Sequence, residues 1–254
     1  IDALKPLAPR LVADGFVVSL QNGVEEYKIA DLIGAERTIG AFLTFGGHYK
    51  QPGEIVFGGP GTFRIGEIDG GVTPRIRALK AAFSALQPVE ITENIFGFLW
   101  SKIALGAIYF ATATTDSDVT DLYAAPRYRE LFGRLAGEVV KVADAKGVRM
   151  ETFDGFDPTV FRPGVAPDQA AIDATWQGQI DYWNRHEGKR TGIWRDLAVH
   201  RRKTEVDRLV GAVIEFAHER NIAVPGIEKL VAVINAIENG ERKRDLANLD
   251  AMAA

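Results

Sequence analysis

Hydrophobic and polar residues follow different patterns in the two parts of this chain. Up to about residue 92, short apolar stretches of strand length alternate with amphipathic stretches typical of helices. The pattern predicts strands over residues 16–20, 38–45 and 89–92, a hairpin over 54–67, and helices over 1–15, 24–34 and 74–86. This alternation favours an α/β sheet layer, which we assign to residues 1–92.

From residue 93 onward, the apolar residues recur at helical spacing. The spacing predicts helices over residues 95–114, 127–146, 168–186, 203–220 and 226–239. We therefore expect an all-helical domain over residues 93–240. The last segment, 241–254, is charged and then rich in small residues, so we expect a flexible tail there.

Lys102 is the only formal charge in the apolar run from Ile95 to Thr114. A helix through this run is apolar on every side, which favours a place in the centre of a helical bundle. An ammonium group in such a place is costly unless it is paired or faces a polar cleft. Burial also lowers the pKa of a lysine and so produces an acid or base that works near neutral pH. The alternative is that the side chain reaches the surface along its own stem.

The same run is long enough to raise the question of a membrane span. Lys102 lies near its middle, where a charge is disfavoured, and the sequence contains neither a second long apolar run nor a signal-peptide pattern. These features favour the core helix of a soluble, cytoplasmic protein. The absence of cysteine agrees with that compartment.

Composition excludes several classes of function. The net charge of −4 gives no reason to expect nucleic acid or an anionic membrane as a partner. The four histidines show no metal-binding spacing, and the sequence has no GxSxG motif, so neither a zinc site nor a serine hydrolase is indicated.

The chain begins with Ile1 inside a predicted helix, from which we expect that it lacks its natural beginning.

A glycine-rich stretch, Gly58–Gly61, could be mistaken for a phosphate-binding loop. It lacks GxGxxG spacing and is not followed by a helical pattern. Clustered glycine and proline supply turns, so we interpret this stretch as the turn of the predicted hairpin.

Five stretches of the sequence together resemble ketopantoate reductases (2-dehydropantoate 2-reductases). They are LQNG at 20–23, ENIFGFLWSKIAL at 93–105, TGIWRD at 191–196, KTEVD at 203–207 and NIAVP at 221–225. Their order and approximate spacing are those of the family, and the resemblance covers nearly the whole chain.

The resemblance implies an NADP-dependent oxidoreductase of pantothenate biosynthesis that reduces a small 2-oxo acid to a 2-hydroxy acid. It implies a partial Rossmann-type α/β half followed by an all-α domain similar to the C-terminal domain of 6-phosphogluconate dehydrogenase, and a homodimer as the assembly to test. The family's GxGxxG motif is absent from this sequence. By the family's layout, roughly the first half of the nucleotide-binding domain is missing.

The resemblance also assigns roles to individual residues. Lys102 matches the family's general acid. Asn22 matches the asparagine near the nicotinamide ribose and the substrate, while Gly46 and Glu205 match cofactor-contact positions. Thr191 is the only hydroxyl beside Gly192, on which the family's carboxylate-binding serine aligns.

Two departures make ketopantoate itself doubtful as the substrate. Asparagines bind the substrate's polar groups four and eight residues after the family's lysine, and here Gly106 and Phe110 occupy those positions. Their loss makes the pocket more apolar, and apolar pockets discriminate weakly by polar groups.

The residues assigned to the site also have structural interpretations that require no ligand. Asn22 precedes glycine as turn residues do, Glu205 suits a solvated helix face, and Thr191 suits a helix N-cap. The basic residues between Lys189 and Lys203 suit a surface, or one arginine replaces the lost serine as a carboxylate ligand. A non-catalytic helical association module, or a reductase for a different acid, also remains open.

Overall fold

A four-stranded mixed sheet organises the first part of the chain. In this computed structural model, which describes residues 1–57, 59, 61–186 and 188–253, the chain divides into two units, Ile1–Leu99 and Trp100–Ala254. The sheet of the first unit contains β1 (Val17–Ser19), β2 (Thr38–Leu43), β5 (Phe63–Glu67) and β6 (Glu90–Ile91), in that order. Strand β2 is parallel to β1 and antiparallel to β5, and β6 is parallel to β5.

Two helices and a separate hairpin complete this unit. They are α1 (Glu26–Ile33), α2 (Pro74–Phe83), and the antiparallel pair β3 (Gly47–Gln51) and β4 (Glu54–Phe57). Helix α1 ends at Gly34 with a φ of 96°, as its sequence predicts. Helix α2 starts at Thr73, whose hydroxyl accepts a hydrogen bond from Ile76 N at 3.3 Å. The interior of the sheet layer is apolar, with Ile39, Ile65 and Ile76 fully buried.

The predicted hairpin over residues 54–67 is wrong. Strand β4 pairs with β3, across a turn at Pro52 and Gly53, whereas β5 pairs with β2. Buried Phe63 and Ile65 hold β5 in the main sheet, whereas the apolar residues Ile55 and Phe57 of β4 are exposed. Gly58 and Pro60, two of the residues assigned to the hairpin turn, lie outside the described residues.

The predicted opening helix is also wrong. Residues 1–15 form turns and one short 3₁₀ segment, Ala8–Arg10. Pro6 and Pro9 lack the backbone N–H groups that a continuous helix uses, and no residue of the 3₁₀ segment is buried.

The second unit is helical. Helix α3 (Ile95–Ala113) starts in the first unit and continues into the second. The remaining helices are α4 (Val119–Ala124), α5 (Pro126–Ala145), α6 (Gln169–Asn184), α7 (Gly192–Arg195), α8 (Val206–Leu209), α9 (Gly211–His218), α10 (Pro225–Glu238) and α11 (Ala247–Ala253), with a π-helical turn at Asp196–His200 after α7. The predicted fold class, a partial Rossmann-type α/β half followed by an all-α domain, is confirmed.

Helix α3 is apolar along its length and mostly buried. Its start is capped by Asn94, whose Oδ1 accepts a hydrogen bond from Gly97 N at 3.2 Å. By length and composition α3 could cross a membrane, but 83% of its most apolar window is buried inside the protein. Burial on all sides explains why this helix is apolar on all sides.

Two predictions about the last part of the chain are wrong. The single helix over residues 203–220 is divided at Val210 into α8 and α9. The tail is packed, because Leu249 and Met252 of α11 are buried and Asn248 Nδ2 donates to Thr114 O and to Lys243 O, both at 3.0 Å. Arg134 Nη2 also donates to Met252 O at 3.2 Å and to Ala253 O at 3.0 Å, so both apolar and polar contacts hold this short helix.

Candidate functional site

Lys102 is the polar residue of α3 around which the candidate site is built. Its neighbours along the helix, Ser101 and Ile103, are buried, whereas the Lys102 side chain is only partly buried. Gly106 and Tyr109 follow at helical spacings of four and seven residues and so share its face of the helix. The helix therefore presents one ammonium group along an otherwise apolar stretch.

The charge of Lys102 is set by burial and by two carboxylates. Burial lowers the pKa of Lys102 to about 8, and the charges of Glu205 and Asp154 act in the opposite direction. The ammonium form therefore predominates at neutral pH, yet the proton can leave at modest cost. This is the property that a general acid needs.

Glu205 comes from the segment that the sequence analysis matched to the family. It immediately precedes α8, and its exposed carboxylate interacts electrostatically with Lys102. The preceding residue, Thr204, fixes this segment because its backbone N and its hydroxyl both donate to Glu238 Oε1, at 2.8 and 2.6 Å. The structure thus brings together two of the predicted site residues, Lys102 and Glu205.

Asp154 is a residue of the site that the sequence analysis missed. It lies in the turn between Phe153 and Phe156 and has a φ of 46°. The available signal was the Asp154-Gly155 pair, since Asp-Gly is preferred in two-residue turns with positive φ. Nothing in the linear sequence, however, connects this turn to a lysine on α3.

Thr191 has a structural role. Its Oγ1 accepts a hydrogen bond from Trp194 N at 3.1 Å and so caps α7, and its side chain is buried. The family's serine position, Gly192, is exposed, and a Cβ added there would have no heavy atom within 4 Å. A substrate contact by Thr191 stays a prediction.

Several of the basic residues around this segment form ion pairs or hydrogen bonds. Arg190 Nε lies 3.3 Å from Asp118 Oδ1, and its guanidinium stacks on Trp194 at 4.5 Å. Arg202 pairs with Asp196 at 2.8 Å. These contacts fit the structural interpretation of the basic run.

Asn22 and Gly46 belong to the first unit. Asn22 follows β1 and Gly46 follows β2, so both lie beyond the carboxyl ends of two parallel neighbouring strands. Ligands of α/β sheets bind at this edge. Both residues are exposed, and a Cβ added to Gly46 would meet nothing within 4 Å, so its backbone is accessible to a dinucleotide. These residues fit a nicotinamide cofactor, and their cofactor contacts stay predictions.

The two departures from the family differ in their surroundings. A Cβ added to Gly106 would come within 2.8 Å of Leu209 Cδ2, so this position is closed by an apolar side chain. Phe110 is buried, with 1% of its surface exposed. Neither position offers a hydrogen-bonding group to a substrate.

Within the described ranges, the structure contains no group of three or more histidine, aspartate or glutamate side chains that could hold a metal ion.

Comparison with known proteins gives matches over most of the chain. The family model for the C-terminal part of ketopantoate reductase PanE/ApbA matches residues 94–238, and the model for ketopantoate reductase PanE/ApbA matches residues 1–70. The 2-dehydropantoate 2-reductase of Pyrococcus horikoshii is 30% identical over 242 residues, which are 94% of this chain and 72% of that protein.

Solved structures show the same fold. D-mandelate dehydrogenase in a ternary structure with NADH and anilino(oxo)acetate superimposes with a TM-score of 0.76 at 16% identity, over 94% of this chain and 72% of that one. A dimeric ketopantoate reductase from Staphylococcus aureus superimposes with a TM-score of 0.67 at 17% identity, over 95% and 74% of the two chains.

Proposed function

Because this chain belongs to the ketopantoate reductase family, we propose that it reduces a 2-oxo acid to the corresponding 2-hydroxy acid with NADPH. The observation that carries the proposal is Lys102, a partly buried lysine with a pKa near 8 on the motif that resembles the family's general acid. A partly buried lysine whose pKa is lowered toward neutral pH is a typical feature of functional sites.

Lys102 acts as the proton donor in this proposal. The nicotinamide cofactor supplies a hydride when bound, which leaves negative charge on the oxygen of the 2-oxo group. The Lys102 ammonium stabilises that charge and transfers one proton from Nζ to the oxygen, and the neutral amine then recovers a proton from solvent.

The other predicted residues bind and orient. Asn22 and Gly46, at the carboxyl edge of the sheet, contact the cofactor, and Asn22 also contacts the substrate. Glu205 contacts the cofactor and keeps Lys102 charged, and Thr191 contacts the substrate. Asn22 and Gly46 are exposed beyond the carboxyl ends of β1 and β2, which supports their assignments. The electrostatic interaction between Glu205 and Lys102 supports the assignment of Glu205.

Two classes of 2-oxo acid are candidate substrates. The family suggests ketopantoate and a role in pantothenate biosynthesis. Gly106 and Phe110 favour a second candidate, a 2-oxo acid with an apolar side chain, because neither residue can hydrogen-bond a hydroxyl group.

The assay uses the protein expressed from its complete gene. We expect loss of NADPH absorbance on addition of a 2-oxo acid, weaker use of NADH, and loss of turnover in the Lys102→Met variant. Absence of turnover with ketopantoate, its deoxy analogue and a series of apolar 2-oxo acids would refute the proposal and favour the association module.

A cytoplasmic location and a homodimeric assembly belong to the same proposal. The proposed homodimer is supported by the similarity to the dimeric ketopantoate reductase of S. aureus, and sedimentation of the complete protein tests it.

A further inference from the structure

Asp154 lies in a turn whose backbone is tightly defined. Phe153 N donates to Phe156 O at 3.1 Å, and Phe156 N donates to Phe153 O at 2.7 Å. The two central residues have φ values of 46° (Asp154) and 75° (Gly155), which are the signs of a type I′ turn. Both phenylalanines are buried, so they anchor the turn from either side.

One tether joins this loop to the helix that carries Lys102. Glu151 N donates to Ser101 Oγ at 2.9 Å, and Ser101 is fully buried immediately before Lys102 on α3. The chain just before the turn is therefore fixed at the level of the lysine.

A second tether joins the turn to α6. Gln179 Nε2 donates to Asp154 O at 3.1 Å, and Gln179 Oε1 accepts from the Tyr109 hydroxyl, which belongs to α3, at 3.3 Å. Gly155 packs so closely on Gly178 that a Cβ on Gly178 would come within 2.5 Å of Gly155 O. The turn is thus held between α3 and α6.

Asp154 and Lys102 interact electrostatically with each other and with nearby titratable side chains. Lys102 is acted on by Asp154 from the turn and by Glu205 from the segment before α8. Asp154 also acts on two phenols, Tyr109 of α3 and Tyr182 of α6, and burial raises the pKa of both, so they stay neutral when Lys102 titrates. Arg185 acts on Tyr182 in the opposite direction.

The geometry points to Asp154 as a positioning residue for proton donation: two tethers fix the backbone of its turn beside α3, and its carboxylate keeps the Lys102 ammonium charged. This role rests on the proposed reductase function and adds a second carboxylate to the one that the family motif supplies. Of the two carboxylates, the exposed Glu205 has the larger effect on the pKa of Lys102, and Asp154 is partly buried in a turn whose backbone is fixed by Gln179.

The decisive variant is Asp154→Asn. Asparagine tolerates positive φ as aspartate does, so the turn is kept while the charge is removed. The matched control is Glu151→Gln in the same loop, whose carboxylate lies 3.0 Å from Arg149 and is not among the charges that act on Lys102. Melting curves of both variants check that the fold is intact.

Competitive acetylation of the Lys102 amine across a pH series, followed by peptide mass spectrometry, measures its titration directly. We expect the midpoint to fall by about one pH unit in Asp154→Asn and to stay in place in Glu151→Gln. At pH 8 the reductive kcat of Asp154→Asn should fall about fivefold, the loss of ammonium form that such a shift implies, with little change in KM for the cofactor.

An acetylation curve of Asp154→Asn that coincides with the wild-type curve would overturn the inference. The labelling result does not depend on turnover, so a shifted curve in a protein without reductase activity would keep the coupling and refute only the proposed function. A shifted curve with an unchanged pH dependence of kcat would remove Asp154 from the reaction.

Discussion

The side chain of Leu209 lies directly against Gly106. A Cβ placed on Gly106 would come within 2.8 Å of Leu209 Cδ2, so a side chain at the position where the family carries a substrate-binding asparagine would require Leu209 to shift. An apolar side chain from α8 therefore lies where the family has an amide. The position is apolar because Leu209 of α8 packs against Gly106 of α3.

The first prediction concerns the substrate. We expect poor activity on ketopantoate and better activity on its deoxy analogue, because binding the hydroxyl against Leu209 and Phe110 strips its water without replacement, at a cost of about 1–3 kcal/mol. The measurement is kcat/KM for the two acids. A wild-type preference for ketopantoate above about 10²-fold would mean that other polar groups hold the hydroxyl.

Asparagine at positions 106 and 110 should move the preference toward ketopantoate, provided that Leu209→Ala makes space. Without the Leu209 change, we expect Gly106→Asn to lower the melting temperature, because the new side chain collides with Leu209.

The second prediction concerns the substrate carboxylate. Gly192 stands where the family has a serine, and a side chain fits there without contact. We expect Gly192→Ser to lower KM for the 2-oxo acid by about threefold to tenfold through one hydrogen bond to a charged group. Gly192→Ala, which adds the Cβ alone, is the control, and equal KM values in the two variants would count against a carboxylate at this position.

The third prediction concerns Lys102. We expect Lys102→Ala to lower turnover by about 10²–10⁴-fold, the usual contribution of a positioned acid. Lys102→Met should be at least as stable as the wild type, because it removes a partly buried charge and keeps a stem of similar length. The exposed Lys141, changed to Met, serves as the control. Near-normal turnover of Lys102→Met would return Lys102 to a structural role.

The pH dependence of turnover follows from the same residue. Burial lowers the pKa of Lys102 to about 8, and reduction requires the ammonium form, so the reductive kcat should fall as pH rises through about 8. Oxidation of the 2-hydroxy acid requires the neutral amine and should rise over the same range. Rates that stay level from neutral pH to pH 10 in both directions would exclude Lys102 as the acid.

The fourth prediction concerns Glu26, which is fully buried at the start of α1. Burial raises its pKa from an ordinary value of 4.5 to about 7, although Ser19 and the backbone N–H of Glu26 favour the charged form. The folded protein therefore holds this proton more tightly than the unfolded chain. Its contribution is fully present below pH 4.5 and is lost as pH rises toward 7, by about 3 kcal/mol.

Replacement of Glu26 by glutamine should remove this loss. We expect Glu26→Gln to be more stable than the wild type at pH 7 and above, with a flatter dependence of the free energy of unfolding between pH 4.5 and 7. Urea unfolding at a series of pH values measures it. The exposed Asp31 on the same helix, changed to Asn, is the control, because it is not among the charges that act on Glu26. Parallel curves for wild type and Glu26→Gln would show that Glu26 does not titrate in this range.

Local signals explain which elements were predictable. Helix α5 ends where Gly147 predicts, α10 begins at Pro225, and the change of period near residue 93 marks the start of α3. The pairing of β5 with β2 was not predictable, because the β3–β4 hairpin separates these two strands along the chain, whereas that hairpin itself carries a local turn signal at Pro52-Gly53. Asp154 was missed for the same reason, since only the tethers through Ser101 and Gln179 bring it to Lys102.

The packed C-terminal helix has a practical consequence for anyone who trims this protein for crystals or fuses a reporter to it. Asn248 binds the carbonyl oxygen of Thr114, just past the last residue of α3, so α11 fastens the far end of the helix that carries Lys102. A deletion of the last eight residues would remove the Asn248 hydrogen bond to that carbonyl, leave it with the Asp245 backbone N–H alone, and uncover the apolar contacts of Leu249 and Met252. Shortening that looks harmless from the sequence would therefore loosen the packing at the C-terminal end of the helix that carries Lys102.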